Sequence, residues 1–427
     1  MVAGSTSQPC DAIGASNTAV AAGPDAIEGL PVDQCGKITL SGTALLSNAL
    51  EEEHIAQAES FLMVGKSFDD SIVDYVVSSV LPHASELRTI EVCDVQLSPD
   101  GLRRVLHVLR QHSVCDKLQE LSFSDVHLHY PETSQLQHVI MKNRAHMKRL
   151  RFQSCHMDDA AAEPLVEAIS YCEALEEVSF ALNDIAHALC FPLDRKDVFP
   201  PALRMLDVGS NPMKSVHFSG LSRACQRCIS SLQEIYLHNC GLTEEGLSTL
   251  LSNGLHGSCS LRVLNISSGR LLHTAGKLLS SLITECPNLE RLYVSDNLIG
   301  VDSAARISIV IPSAKRLSVL GLGRCHLCSD GAKLIAEAVR DSSSIRELDL
   351  SGNNVKDEDV SEICAPGGVA LDVSLLDLSD NPLTNNSRSS LQAFLSKRGI
   401  RPCTIVLRGT GLEEDSPYME NNNSLMI

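Results

Sequence analysis

Tryptophan is absent from the 427 residues, and aromatic side chains make up only 4% of them, against a hydrophobic share of 44%. A core built from such a chain has to be filled with aliphatic side chains of leucine size. No run of 18 or more apolar residues occurs, which excludes a membrane-spanning helix. The N-terminus lacks a basic segment followed by an apolar one, so it reads as neither a secretory signal nor a transit peptide. A cytoplasmic address is therefore expected, where the 16 cysteines stay reduced. Positive charge is scarce too: 35 Lys and Arg face 53 Asp and Glu, a net charge of −18. The deficit is concentrated at the ends. Residues 1–60 hold Lys37 against Asp11, Asp25, Glu28, Asp33, Glu51, Glu52, Glu53 and Glu59, and the tail from Glu413 adds Glu414, Asp415 and Glu420 with no base. A phosphate-binding face needs concentrated Lys and Arg. Neither nucleic acid nor a membrane is expected as a partner.

Catalytic signatures are missing as well. The chain holds no GxGxxG, GxSxG or HExxH motif and no EF-hand loop. Gly65-Lys66-Ser67 resembles the end of a phosphate-binding loop, but Ser60 stands where the first glycine belongs. Two CxxC pairs, Cys225-Gln-Arg-Cys228 and Cys325-His-Leu-Cys328, lie about a hundred residues apart, whereas one structural zinc takes four ligands. Asn265-Ile-Ser267 fits a glycosylation sequon but falls on a predicted strand. No catalytic residue, cofactor or metal is expected.

What the chain does contain is a repeat. One frame recurs: apolar, two variable, apolar, one variable, apolar, two variable, Asn or Cys, one variable, apolar. Clear copies are Leu232-Gln-Glu-Ile235-Tyr-Leu237-His-Asn-Cys240-Gly-Leu242 and Leu289-Glu-Arg-Leu292-Tyr-Val294-Ser-Asp-Asn297-Leu-Ile299. The first position falls at Leu87, Leu118, Met147, Leu175, Leu203, Leu232, Leu261, Leu289, Leu317, Ile345, Val373 and Pro402, at intervals of 28 to 31 residues. A weaker copy begins near Ala58, and a further one around Ile38 has an uncomfortably short spacing of 23. Within each unit, apolar residues two apart read as a short strand with one face buried. Beyond the ninth position the spacing turns helical, as in Leu242, Leu247, Leu250 and Leu251. Such a unit cannot bury its apolar face alone, so units stack into a parallel sheet with helices outside.

The period and the Leu-x-x-Leu-x-Leu-x-x-Asn/Cys-x-Leu frame resemble the ribonuclease-inhibitor-like class of leucine-rich repeats, over roughly residues 58–412. That class includes ribonuclease inhibitor, the repeat domains of NOD-like receptors and Ran GTPase-activating protein. The resemblance implies an α/β solenoid, a curved horseshoe with parallel strands on the concave face and helices on the convex face. Expected boundaries are a disordered arm over 1–34, a solenoid of about 13 units over 35–412, and a disordered acidic tail over 413–427. Asn and Cys at the ninth position, from Cys155 and Asn183 to Asn381, are expected to satisfy backbone groups at the turn. Gly269 and Thr410 depart from that pattern.

With the frame set, the variable strand positions form columns on the concave face. The fifth-position column brings Tyr236 and Tyr293, two of only six tyrosines, to within ~10 Å of each other, two strands apart. His238, Asn265 and Arg291 lie alongside. Lys148, Arg149 and Arg151 form a second, basic cluster. Tyr and Arg are the usual anchors of protein interfaces. The expected function is a non-enzymatic scaffold, monomeric by itself, that binds a protein partner through its concave face. The resemblance also admits a GTPase activator similar to Ran GTPase-activating protein, or a structural component of a ciliary or cytoskeletal assembly.

Overall fold

The computed structural model describes residues 37–41, 52–65, 68, 70–111, 116–190, 200–364, 373–397, 402–412, 419–420 and 423–426. The N-terminal arm expected over 1–34 lies outside them, as do Lys66 and Ser67 of the loop-like motif.

Strands recur once per coil from Lys37–Ser41 to Thr404–Val406, each paired in parallel with the next and in strict chain order. Register follows the repeat frame without slip: Glu234 pairs with Val263, Val263 with Arg291, and Arg291 with Val319. Burial enforces this. In Glu234–Tyr236 only the middle residue, Ile235, is buried, and a slip of one residue would turn it outward. The helices present one apolar stripe each. Cys328–Arg340 buries Gly331, Ala332, Ile335, Ala336, Ala338 and Val339, with Asp330 in its first turn and Arg340 in its last to complement the helix dipole. Strand and helix layers enclose one continuous apolar core from Ile38 to Leu412. Strands stack at ~4.8 Å but helices are ~10 Å wide, so the stack curves with its strands inside. The chain is an α/β leucine-rich-repeat solenoid. No described helix is long and apolar enough to cross a membrane.

Several details go beyond the frame. The copy around Ile38 joins the sheet in register despite its short spacing, with Ile38 opposite Phe61. At the last coil Pro402 is exposed and Cys403 is buried in its stead. The core is not purely aliphatic: Phe123, Phe152 and Phe180 fill the sixth position of three successive coils, with ring centroids 6.1 and 5.7 Å apart. The eighth position has a left-handed backbone in every coil from Asp94 to Gly409, with φ between 50 and 68°. Asp94, Asp125, Asn239, Asp296 and Asp380 tolerate that geometry, and Gly352 and Gly409 adopt it freely. Leu182 and Arg324 hold it against their steric preference.

Asn423–Met426 pairs in parallel with Thr404–Val406, and Met419–Glu420 folds back antiparallel upon it. A terminal coil leaves a row of unpaired backbone groups on its open edge, and a nearby extended segment satisfies them.

Candidate functional site

The concave surface is held in place by what happens at the strand ends. Asn183 shows the device in full. Its Oδ1 accepts from the N–H of Cys155 (3.0 Å) and of Met157 (3.1 Å), and its Nδ2 donates to the carbonyls of Phe152 (2.8 Å), Phe180 (3.0 Å) and Ala181 (3.1 Å). Asn211, Asn297, Asn353 and Asn381 repeat it. Each asparagine thereby staples its own turn to the previous coil. Cysteine does less: the Cys240 thiol donates to Val208 O at 2.9 Å, and Cys155 and Cys325 make longer versions of that bond. The Thr410 hydroxyl donates to Leu407 O at 2.7 Å, while Gly269 leaves its space to the Asn297 amide.

A second device lies on the concave face itself. Asp207, Asn265, Asp349 and Asp377, all at the fifth position, accept at Oδ1 from the backbone N–H two residues on, at 2.8 to 3.0 Å. Asp and Asn favour this local turn. Asn265 is therefore partly committed to Ser267 N–H. Burial pushes the Asp349 carboxyl above its ordinary range, and the nearby charge of Asp377 adds to the shift, against hydrogen bonds from Ser351 and Ser295.

Tyr236 and Tyr293 stand in one column on either side of Asn265, as the register requires. Both are half-buried. Tyr236 Oη donates to Glu234 Oε2 at 2.8 Å. Burial pushes its phenol up, and the hydrogen bond and charge of Glu234 push it further. Burial also raises Tyr293, opposed by the adjacent Arg291 guanidinium. At neutral pH both phenols are therefore protonated hydrogen-bond donors and not nucleophiles. The Tyr293 ring lies against Gly321, where an added Cβ would stand 3.1 Å from its Cδ1, so glycine leaves the room the ring uses. Val263 lies between the two tyrosine strands and keeps 8% of its surface open, while Arg291 is exposed at the edge.

His238 is partly buried, two residues beyond the strand Glu234–Tyr236. Its ring covers Gly209, where a Cβ would collide with it at 2.1 Å, and its buried Nδ1 has no hydrogen-bond partner among the described residues. The basic cluster is also changed by its neighbours: Arg149 is ion-paired with Glu120 and Arg151 with Glu177, while Lys148 is exposed. Glu120 stands opposite Arg149 in the third-position column, while Arg151 reaches diagonally to Glu177. Of the CxxC pairs, Cys225, Cys228 and Cys325 are buried and Cys328 is exposed. The structure instead brings together three residues that the sequence did not single out, His187, Cys190 and His217.

Comparison with known proteins places this geometry. Residues 45–222 match the PRAME C-terminal domain family, and residues 341–364 match a Leucine Rich repeat family. Ribonuclease inhibitor of Sus scrofa is 24% identical over 424 residues, spanning 82% of this chain and 92% of that protein. NACHT, LRR and PYD domains-containing protein 5 of Homo sapiens is 23% identical over 341 residues, 79% of this chain but 28% of that protein. The solved structure of a Leptospira interrogans LRR protein aligns with TM-score 0.46 and 15% identity, over 86% of this chain and 89% of that one. From its repeat frame, its unbroken register and its likeness to ribonuclease inhibitor, the chain is a leucine-rich-repeat protein of the ribonuclease-inhibitor-like kind.

Proposed function

We propose that the chain is a non-catalytic scaffold that holds a protein partner on its concave face, in the cytoplasm, with Tyr236 and Tyr293 as the anchors. The observation that carries this reading is the pair itself: two half-buried phenols in one column of the sheet, flanking Asn265. Their bodies offer apolar area, the Tyr236 hydroxyl is oriented by its bond to Glu234, and aromatic anchors of this kind concentrate binding energy at protein interfaces. Val263 supplies an apolar floor and Arg291 a charged rim. Lys148, Arg149 and Arg151 take a lesser part, because two of the three charges are already spent on Glu120 and Glu177. His238 acts by bracing the strand ends over Gly209. A relative named for inhibiting a ribonuclease puts the same fold to use against a protein target. Free thiols buried at the ninth position fit a reducing compartment.

The test is quantitative proximity labelling with the full chain, a Y236A/Y293A variant, and a K277A/E337A variant altered at exposed helical residues. Truncating a true anchor costs about 2 kcal/mol or more, which weakens binding at least ~30-fold. A set of proteins labelled by wild type and K277A/E337A but lost with Y236A/Y293A is expected. An unchanged labelled set in Y236A/Y293A would refute the reading.

A further inference from the structure

We propose that His187, Cys190 and His217 bind a tetrahedral transition-metal ion, Zn2+ by preference, on the helical side of the solenoid. This does not depend on the docking reading. One ligand atom from each residue lies within 4.8 Å of the others. Bonds of ~2.0–2.1 Å to nitrogen and ~2.3 Å to sulfur put tetrahedral ligand atoms roughly 3.5 Å apart, so a shift of about an ångström closes the set.

The placement follows from a break in the repeat. In the coil that begins at Leu175, the described residues after the strand include one turn of 3-10 helix, Ala188–Cys190. Residues three apart in such a turn lie above one another, which puts His187 and Cys190 on one side. The next coil supplies His217 from the first turn of the helix Ser215–Arg227. Gly220, one turn further along, lets that helix approach: a Cβ there would stand 1.9 Å from Cys190 O. His217 is thereby carried over the turn. Asp159 pins the turn from the other side, its Oδ1 accepting from Ala186 N–H at 2.9 Å and Ala188 N–H at 2.8 Å. Its negative charge is felt at His187, Cys190 and His217 and offsets that of a bound cation.

The donor set selects the metal. Two imidazoles and a sulfur suit zinc and its neighbours, whereas Mg2+ and Ca2+ require oxygen. Coordination takes the Cys190 proton to solvent, because the thiolate is the ligand. Three protein ligands leave a fourth position for water. Binding also has a local cost. His217 Nδ1 now accepts from Lys214 N–H at 3.1 Å. A metal on Nδ1 displaces that bond, and a metal on Nε2 leaves the ring proton on Nδ1, where it faces another donor. Either way the helix cap is given up, so the affinity sits below that of a fully braced site.

Co2+ added to the metal-stripped full chain in a C259S/C328S background tests this, because exposed Cys259 and Cys328 would bind adventitiously. A thiolate-to-cobalt charge-transfer band that saturates at one ion per chain and is displaced by Zn2+ is expected. C190S should abolish the band, and H187A and H217A should each weaken binding by more than about tenfold. H187A keeps the test usable if C190S misfolds by circular dichroism, since His187 is exposed. No band in the parent, a band that survives in folded C190S, or unchanged affinity in H187A would overturn the assignment.

Discussion

In the coils of Thr89–Cys93 and Glu120–Ser124 the ninth position is Val95 or Val126 and the strand runs five residues; from Glu177–Ser179 onward the ninth position is mostly Asn and the strand runs three. The difference teaches how one solenoid satisfies its backbone in two ways. Where the ninth residue is valine, the sixth and seventh residues stay in the ladder, with Val92 opposite Phe123 and Cys93 opposite Ser124. Where it is asparagine, its Nδ2 takes the sixth-position carbonyls, and in several coils the fifth-position Asp or Asn takes the seventh-position N–H. The three-residue strand is shared by the coils that carry Cys240, Gly269 or Thr410 at the ninth position, so asparagine accompanies the shorter strand without being required for it. The crossover is Arg149–Gln153, still five residues long but followed by Cys155, whose N–H already donates to Asn183. The concave face changes with it. The first half carries charges that neutralise one another, Glu120 with Arg149 and Arg151 with Glu177, while the second half carries the tyrosines and the apolar Val263 and Val319.

The sharpest way to break this comparison is to delete the polar staple. N353A leaves the amides of Cys325 and Leu327 and the carbonyl of Leu322 without their partner, and is expected to cost about 2–4 kcal/mol in urea unfolding. Alkaline pH gives a smaller effect per residue. Burial pushes the thiols of Cys155, Cys240 and Cys325 up to about 12. A folded value above the unfolded one of about 8.5 means their contribution is intact below that pH and lost as pH rises toward 12, about 2 kcal/mol per thiol at pH 10. The urea midpoint is expected to fall between pH 7 and pH 10, and C325A to fall less steeply than wild type. V126A, in the half without staples, removes only apolar contact and is expected to cost about 1–2 kcal/mol with no change in that pH slope.

Much of the architecture was readable in advance because the repeat is long and its apolar positions are strict. A frame held from Leu87 to Val373 leaves one register that buries them all, so the columns written from the frame are the ones the strands pair. What escaped has physical reasons. The eighth position admits Asp, Ser, Asn, Gly, Leu and Arg, so its shared left-handed backbone leaves only a faint compositional trace. The turning of His238 onto Gly209 depends on a side chain missing from the neighbouring coil, visible only when adjacent coils are compared position by position. The His187, Cys190 and His217 set hides because its members occupy different places in their repeats, in connecting segments where the frame is silent. The edge pairing of Asn423–Met426 is tertiary and has no periodic signal of its own.

Site-resolved hydrogen–deuterium exchange on the full chain tests the stapled stack most directly. The amides of Cys155, Met157, Cys325, Leu327 and Val355, which donate to ninth-position asparagines, should exchange as slowly as the strand amides, and N353A should release Cys325 and Leu327 while sparing Cys155 and Met157. Exchange of these five amides at loop rates in the wild-type chain would contradict it.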